Sequence, residues 1–119
     1  MSDRDPDHLA HLRHAIERVR EWASDGRDVF LEDERTQWAV LRGMHTLTES
    51  ASALSGEVKL RHPDIDWRGL AGYRNIVVHG YLNQLSLERS WEYIEQDLPL
   101  LAAAVNEEYQ RLRVPRAKR

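Results

Sequence analysis

Apolar residues in this chain recur at spacings of three and four, a pattern that excludes most folds. Leu9, Leu12, Ile16, Val19 and then Trp22 or Ala23 make one stripe, and Val40, Leu41, Met44, Leu47, Ala51 and Leu54 make another. Such spacing lines side chains up along one side of a helix with 3.6 residues per turn. The period-two alternation of a half-buried strand is missing, and most prolines and glycines fall between the periodic stretches. The expectation is an all-α protein, an antiparallel bundle of four to five helices joined by short connections. At 119 residues it suits one hydrophobic core. Residues 1–112 are read as one helical domain and 113–119 as a basic C-terminal tail.

Capping residues set the expected boundaries. "DPD" at residues 5–7 supplies a cap and an early proline for a first helix over about residues 7–23, which Gly26 ends. "GRDVFLED" reads as a loop. A second helix is expected from near Glu34 to Gly56 or shortly beyond. "RHPDID" is a connector in which Asp66 caps a helix running from Trp67 to His79, with Gly80 as its stop. Ser86 caps the final segment, which carries Leu87, Trp91, Ile94, Leu98, Leu101, Val105 and Leu112. Pro99 lies inside that segment, so a kink or break is expected at 96–97.

Composition narrows the chemistry. With no cysteine there is no disulfide and no thiolate nucleophile, and a metal site would have to use histidine and carboxylates. His8, His11 and His14 repeat every three residues, but such steps drift around a helix, so they read as a solvated face. No metal and no cofactor is expected. His45 and His62 read as surface or capping residues. Trp22, Trp38, Trp67 and Trp91 read as core or dimer anchors, with base stacking as the other use of an indole. A formal charge of -3 argues against binding nucleic acid by overall charge, although "RLRVPRAKR" at the C-terminus carries five cations and no acid. No apolar run reaches membrane-spanning length, and "MSDRDPD" lacks the layout of a signal peptide, so a cytoplasmic protein is expected.

The stretch that the bundle does not explain is "YRNIVVHGYLNQ", residues 73–84. It surrounds an apolar run with Arg74, Asn75, His79 and Tyr81, groups that are costly to bury without partners. At about 100° per residue, Asn75 and His79 fall on nearly one side of a helix and Arg74 lies about 140° from His79. Gly72 opens space on that polar side, while Val77 shares the opposite side with Leu70 and Tyr73 and anchors the helix. His79 at a helix C-terminus admits either a capping role or a functional one. Tyr81 admits either ring packing at a helix end or exposure to an enzyme.

Arg74, Asn75, "IVV", His79, Gly80 and Tyr81 reproduce a pattern of arginine, polar residue, three positions, histidine, one residue, tyrosine. With "FLEDERTQWAVLR" at 30–42, "HPDIDWRGLAGYRN" at 62–75 and "SWEYIEQDLPLL" at 90–101, the chain resembles the HepT-like ribonuclease toxins of the HEPN superfamily. It departs after Tyr81, where relatives often carry an aromatic residue and a small acidic turn and this chain has "LNQL". The resemblance implies a homodimer with two motifs facing one cleft, an mRNA or tRNA substrate, and a type VII-like toxin–antitoxin pairing. The antitoxin would be a nucleotidyltransferase with an MNT domain that modifies Tyr81. Metal-independent cleavage needs a base for the ribose 2′-OH and a cation for the phosphorane. His79 is the expected base and Arg74 the phosphate clamp, with Asn75 orienting one or the other. The alternative is a non-catalytic helical partner or substrate-binding subunit of a nucleotidyltransferase.

Overall fold

The computed structural model describes residues 3–79 and 86–113, apart from the side chains of residues 77–79 and 113. Among these residues all regular structure is helical: α1 (Asp5–Trp22), α2 (Arg27–Glu32), α3 (Glu34–Ser52), α4 (Gly56–Leu60), α5 (Trp67–His79), α6 (Leu87–Glu92) and α7 (Leu98–Arg113). A π-helical turn, Tyr93–Asp97, joins α6 to α7. The expected all-α bundle is therefore present, with α1, α3, α5 and the α6–α7 arm as its long members.

The expected stripes form the core. Leu9, Leu12, Ile16 and Val19 of α1 are buried with Val40, Met44, Leu47 and Ala51 of α3. The two helices run antiparallel. Asp5, at the start of α1, accepts hydrogen bonds from Ser55 N at 2.9 Å and Ser55 Oγ at 2.7 Å, just beyond the end of α3. Further along, a Cβ on Gly43 would stand 2.6 Å from Val19 Cγ2, so the missing side chain sets how closely α1 and α3 approach. The α7 helix returns along the other flank of α1, where the Arg13 guanidinium lies 4.8 Å from the centre of the Tyr109 ring.

Several boundaries differ from the sequence reading, each for a local reason. "GRDVFLED" holds a helix, because Gly26 turns the chain at φ 100° and Phe30 then buries itself fully against Trp91, 5.6 Å between ring centres. The second long helix stops at Ser52, and Ser55 caps a separate α4 by accepting from Val58 N at 3.3 Å. Asp5 does not cap α1 through its side chain. Arg4 is the N-cap position, its side chain making no capping hydrogen bond, and Asp5 is turned inward to Ser55. The interruption before Pro99 takes the form of the π turn. Ile76 is 42% exposed, so Leu70 and Tyr73 rather than that end of the apolar run fasten α5 to the core.

His62 is the clearest correction, since it is buried and not a surface residue. Its Nε2 lies 2.6 Å from Glu108 Oε2, and Arg61 reaches the same carboxylate from Nε at 3.0 Å and NH2 at 2.6 Å. Burial pushes the Glu108 carboxyl up, and the bonds from Arg61 and His62 more than offset this, leaving it below its ordinary range. The cluster ties the connector before α5 to α7. Glu108→Ala is expected to cost about 1–3 kcal/mol, because it leaves the buried His62 ring without its partner and removes the carboxylate that Arg61 forks onto, read as a lower urea midpoint at unchanged slope. Because the folded value is depressed, this contribution is complete above the ordinary glutamate value of 4.5 and is lost as pH falls through the folded value. Glu108→Gln should flatten that part of the acid transition.

Candidate active site

The α5 helix is held at its N-terminal end and along two flanks, which gives its polar face a fixed address. Asp66 caps it as expected, accepting from Gly69 N at 2.9 Å. The Trp67 indole donates to the His62 carbonyl at 3.0 Å. One flank is apolar: Leu70 is buried, and the Tyr73 ring stacks on Tyr93 with 5.8 Å between centres while its hydroxyl bonds to Ser90. Burial pushes the Tyr73 phenol up, opposed by the Ser90 bond. The other flank is polar and meets α3.

Arg74 carries that polar contact. Its NH2 donates to Glu49 Oε1 of α3 at 2.8 Å, and its NH1 donates to the Oδ1 of Asn75 at 3.3 Å. Its Nε is buried and has no hydrogen-bond partner among the described residues. The bond from Arg74, opposing the upward push of burial, leads the causes that hold the Glu49 carboxyl below its usual range. The network continues along α3: His45 Nε2 lies 3.6 Å from Glu49 Oε1, and His45 Nδ1 lies 3.4 Å from NH1 of Arg42. His45 is therefore a member of a polar row and not a cap.

A guanidinium has five N–H donors in a planar fork. Glu49 and Asn75 occupy two of them and fix the plane, which leaves donors on NH1 and NH2 for the oxygens of an anion. Asn75 is exposed and spends its oxygen on Arg74, so its amide nitrogen is the atom left to donate outward. Beside them, a Cβ on Gly72 would meet nothing within 4 Å, the open space expected from the sequence. His79 is the last residue of α5, so it shares the helix with Arg74 and Asn75. Its side chain lies outside the described residues, as do Gly80 and Tyr81.

The sequence reading missed Glu49, His45 and Arg42. Their signal was present, because positions 42, 45 and 49 are spaced by three and four and fall together on the face of α3 across from its buried stripe. A cavity of about 240 Å³ opens elsewhere, between the start of α5 and the π turn, lined by Asp66, Tyr73, Arg89, Tyr93, Gln96 and Asp97 among others. Neither Arg74 nor Asn75 lines it. Asn75 is exposed and Arg74 half-buried, so both can be reached from solvent.

His8 is half-buried, and His11 and His14 are exposed, the solvated face expected of them. Trp91 is in the core and Trp67 is packed against it, whereas Trp22 and Trp38 are exposed. No helix among the described residues is long and apolar enough to cross a membrane.

The family described as ribonuclease HepT-like matches residues 12–108. A protein named "Probable ribonuclease HepT" from Thermococcus cleftensis is 30% identical over 96 residues, covering 80% of this chain and 86% of that protein. A protein from Methanocaldococcus jannaschii named "Putative RNase" is 29% identical over 72 residues, 60% of this chain and 59% of its own length. No solved structure gives a match. The chain therefore belongs to the HepT-like ribonuclease family.

Proposed function

We propose that the protein is an endoribonuclease toxin that cuts RNA without a metal, using Arg74, Asn75 and His79 of α5. The observation that carries this reading is the half-buried guanidinium of Arg74, pinned by Glu49 and the exposed Asn75 with donors to spare. That is the arrangement a phosphodiester clamp requires. In the reaction His79 takes the proton of the ribose 2′-OH, the 2′-oxygen attacks phosphorus, and the bond to the 5′-oxygen breaks. The products are a 2′,3′-cyclic phosphate and a 5′-hydroxyl that receives a proton from a general acid. Arg74 steadies the charge gathering on the phosphorane oxygens. Imidazole and guanidinium together supply what the step needs near neutral pH.

The resemblance to HepT-like proteins implies a homodimer, in which two copies of the motif line one cleft and one imidazole serves as base while the other serves as acid. Cleavage of mRNA or tRNA would take place in the cytoplasm. Membership in a family of ribonucleases supports the choice of RNA, and the resemblance of the Arg74–Tyr81 motif implies pairing with an MNT-domain nucleotidyltransferase as antitoxin in a type VII-like system. In that pairing the Tyr81 hydroxyl attacks the α-phosphate of a nucleoside triphosphate and releases pyrophosphate. The added bulk and negative charge then repel RNA from the cleft.

His79→Ala is expected to lower cleavage at least 100-fold while its thermal melt matches that of wild type. Products from wild type should carry cyclic phosphate ends, and cleavage should persist with a chelator. An active His79→Ala protein would remove the base from the mechanism, and tight binding of a nucleotidyltransferase with no cleavage at all would favour the non-catalytic partner. Arg74→Lys keeps the charge but loses the planar fork, so its cleavage should fall about tenfold or more. For Tyr81, mass spectrometry of protein co-expressed with the transferase should find a nucleotidyl adduct on its peptide that Tyr81→Phe abolishes. Unmodified Tyr81 throughout would contradict the antitoxin mechanism.

A further inference from the structure

At 65% exposure Trp38 is the most exposed tryptophan among the described residues. Leaving an indole in water forgoes one of the largest apolar burials a side chain offers. Its place on α3 is informative. Arg42, His45 and Glu49 follow it at intervals of four, seven and eleven residues, so the indole extends the polar row that reaches Arg74. From Trp38 to Glu49 the helix rises about 16 Å, the reach of a few nucleotides of single strand. The indole is also steadied, because its Nε1 donates to Glu34 Oε1 one turn earlier at 3.3 Å. That bond uses the edge of the ring and leaves the faces for a partner.

The neighbours of Trp38 select the partner. Arg35, three residues before, and Arg42, four after, are both exposed, so cations stand on either side of the ring. An interface between subunits surrounds its anchors with apolar residues and thins out charge at its centre. Within one turn of the ring on α3 stand Glu34, Arg35 and Arg42, with one apolar neighbour, the half-buried Leu41. A positive track interleaved with an aromatic face is the chemistry that holds single-stranded nucleic acid. We infer that Trp38 is a stacking platform for a base of the RNA strand whose phosphate Arg74 holds, a few nucleotides from the scissile bond. This inference rests on the ribonuclease reading for its choice of strand.

The test uses the full chain carrying His79→Ala, so that RNA survives, titrated with a short fluorescein-labelled oligoadenylate. Adding Trp38→Ala should weaken binding about tenfold, Trp38→Phe should stay within about threefold, and Trp38→Leu should resemble alanine, because stacking needs a π face. In the enzyme with His79 intact, Trp38→Ala should raise KM rather than lower kcat. Binding indifferent to Trp38→Ala, or restored equally by leucine and phenylalanine, overturns the inference. So does a change of sedimenting mass on Trp38→Ala, which would make the indole a subunit contact. Trp38-dependent binding by a wild type that cuts nothing would sink the nuclease reading and keep the platform. Cleavage lost in His79→Ala with binding blind to Trp38 would do the reverse, and no binding by any form would sink both.

Discussion

The α3 helix has to satisfy two neighbours of opposite chemistry, and the rest of the molecule is arranged around that requirement. Toward α1 it offers Val40, Met44, Leu47 and Ala51, with Gly43 allowing the close approach to Val19. Toward α5 it offers Glu49, the partner of Arg74. Both sets lie on one rigid helix, so the packing of α1 on α3 also fixes where the Arg74 guanidinium stands. A core contact and a site contact separated by only a few residues along one helix cannot move independently. Side chains that bear function thus inherit their precision from methyl groups that never meet a ligand.

The periodic parts of this arrangement were legible in the sequence and the aperiodic parts were not. Spacings of three and four located α1, α3 and the α6–α7 arm, and the Asp66 and Ser86 caps placed the starts of α5 and α6, because those signals are local. The six residues of α2 span under two turns, too few for a period to stand out, and only the tertiary burial of Phe30 makes them a helix. Asp5 and Ser55 meet across 50 positions, and His62 and Glu108 across 46, and nothing in either neighbourhood announces the other. Arg74 and Asn75 stood out because they flank an apolar run. Glu49 was hidden for the converse reason: on an otherwise well-patterned amphipathic helix a carboxylate across from the buried stripe looks like ordinary surface.

Openness of the Arg74 surface has a physical counterpart in the way α5 is fastened. Leu70 and Tyr73 dock one flank firmly, with the Tyr73 ring on Tyr93 and its hydroxyl on Ser90, and Arg74 ties the next to α3, so the remaining face is relieved of packing duty. It can then carry Asn75 and the bare backbone of Gly72 in the open. A polymer gains from such a surface, since each phosphate brings its own charge and successive contacts add along the strand. An enclosed pocket would exclude it.

Two clusters built from the same three residue types show how burial alone assigns their roles. Arg61, His62 and Glu108 meet around a carboxylate with 1% exposure, which accepts both prongs of the guanidinium and the imidazole. Arg74, His45 and Glu49 meet around a carboxylate that is 44% exposed and accepts one strong bond. In the first, water cannot replace a lost partner, so the cluster is rigid and its loss is expensive. In the second, solvent screens the pair and readily substitutes for either member, so the pair contributes little to stability. That weakness is what a binding group requires. An arginine locked as Arg61 is could not trade its carboxylate for a phosphate, whereas Arg74 is oriented by Glu49 without being sequestered by it.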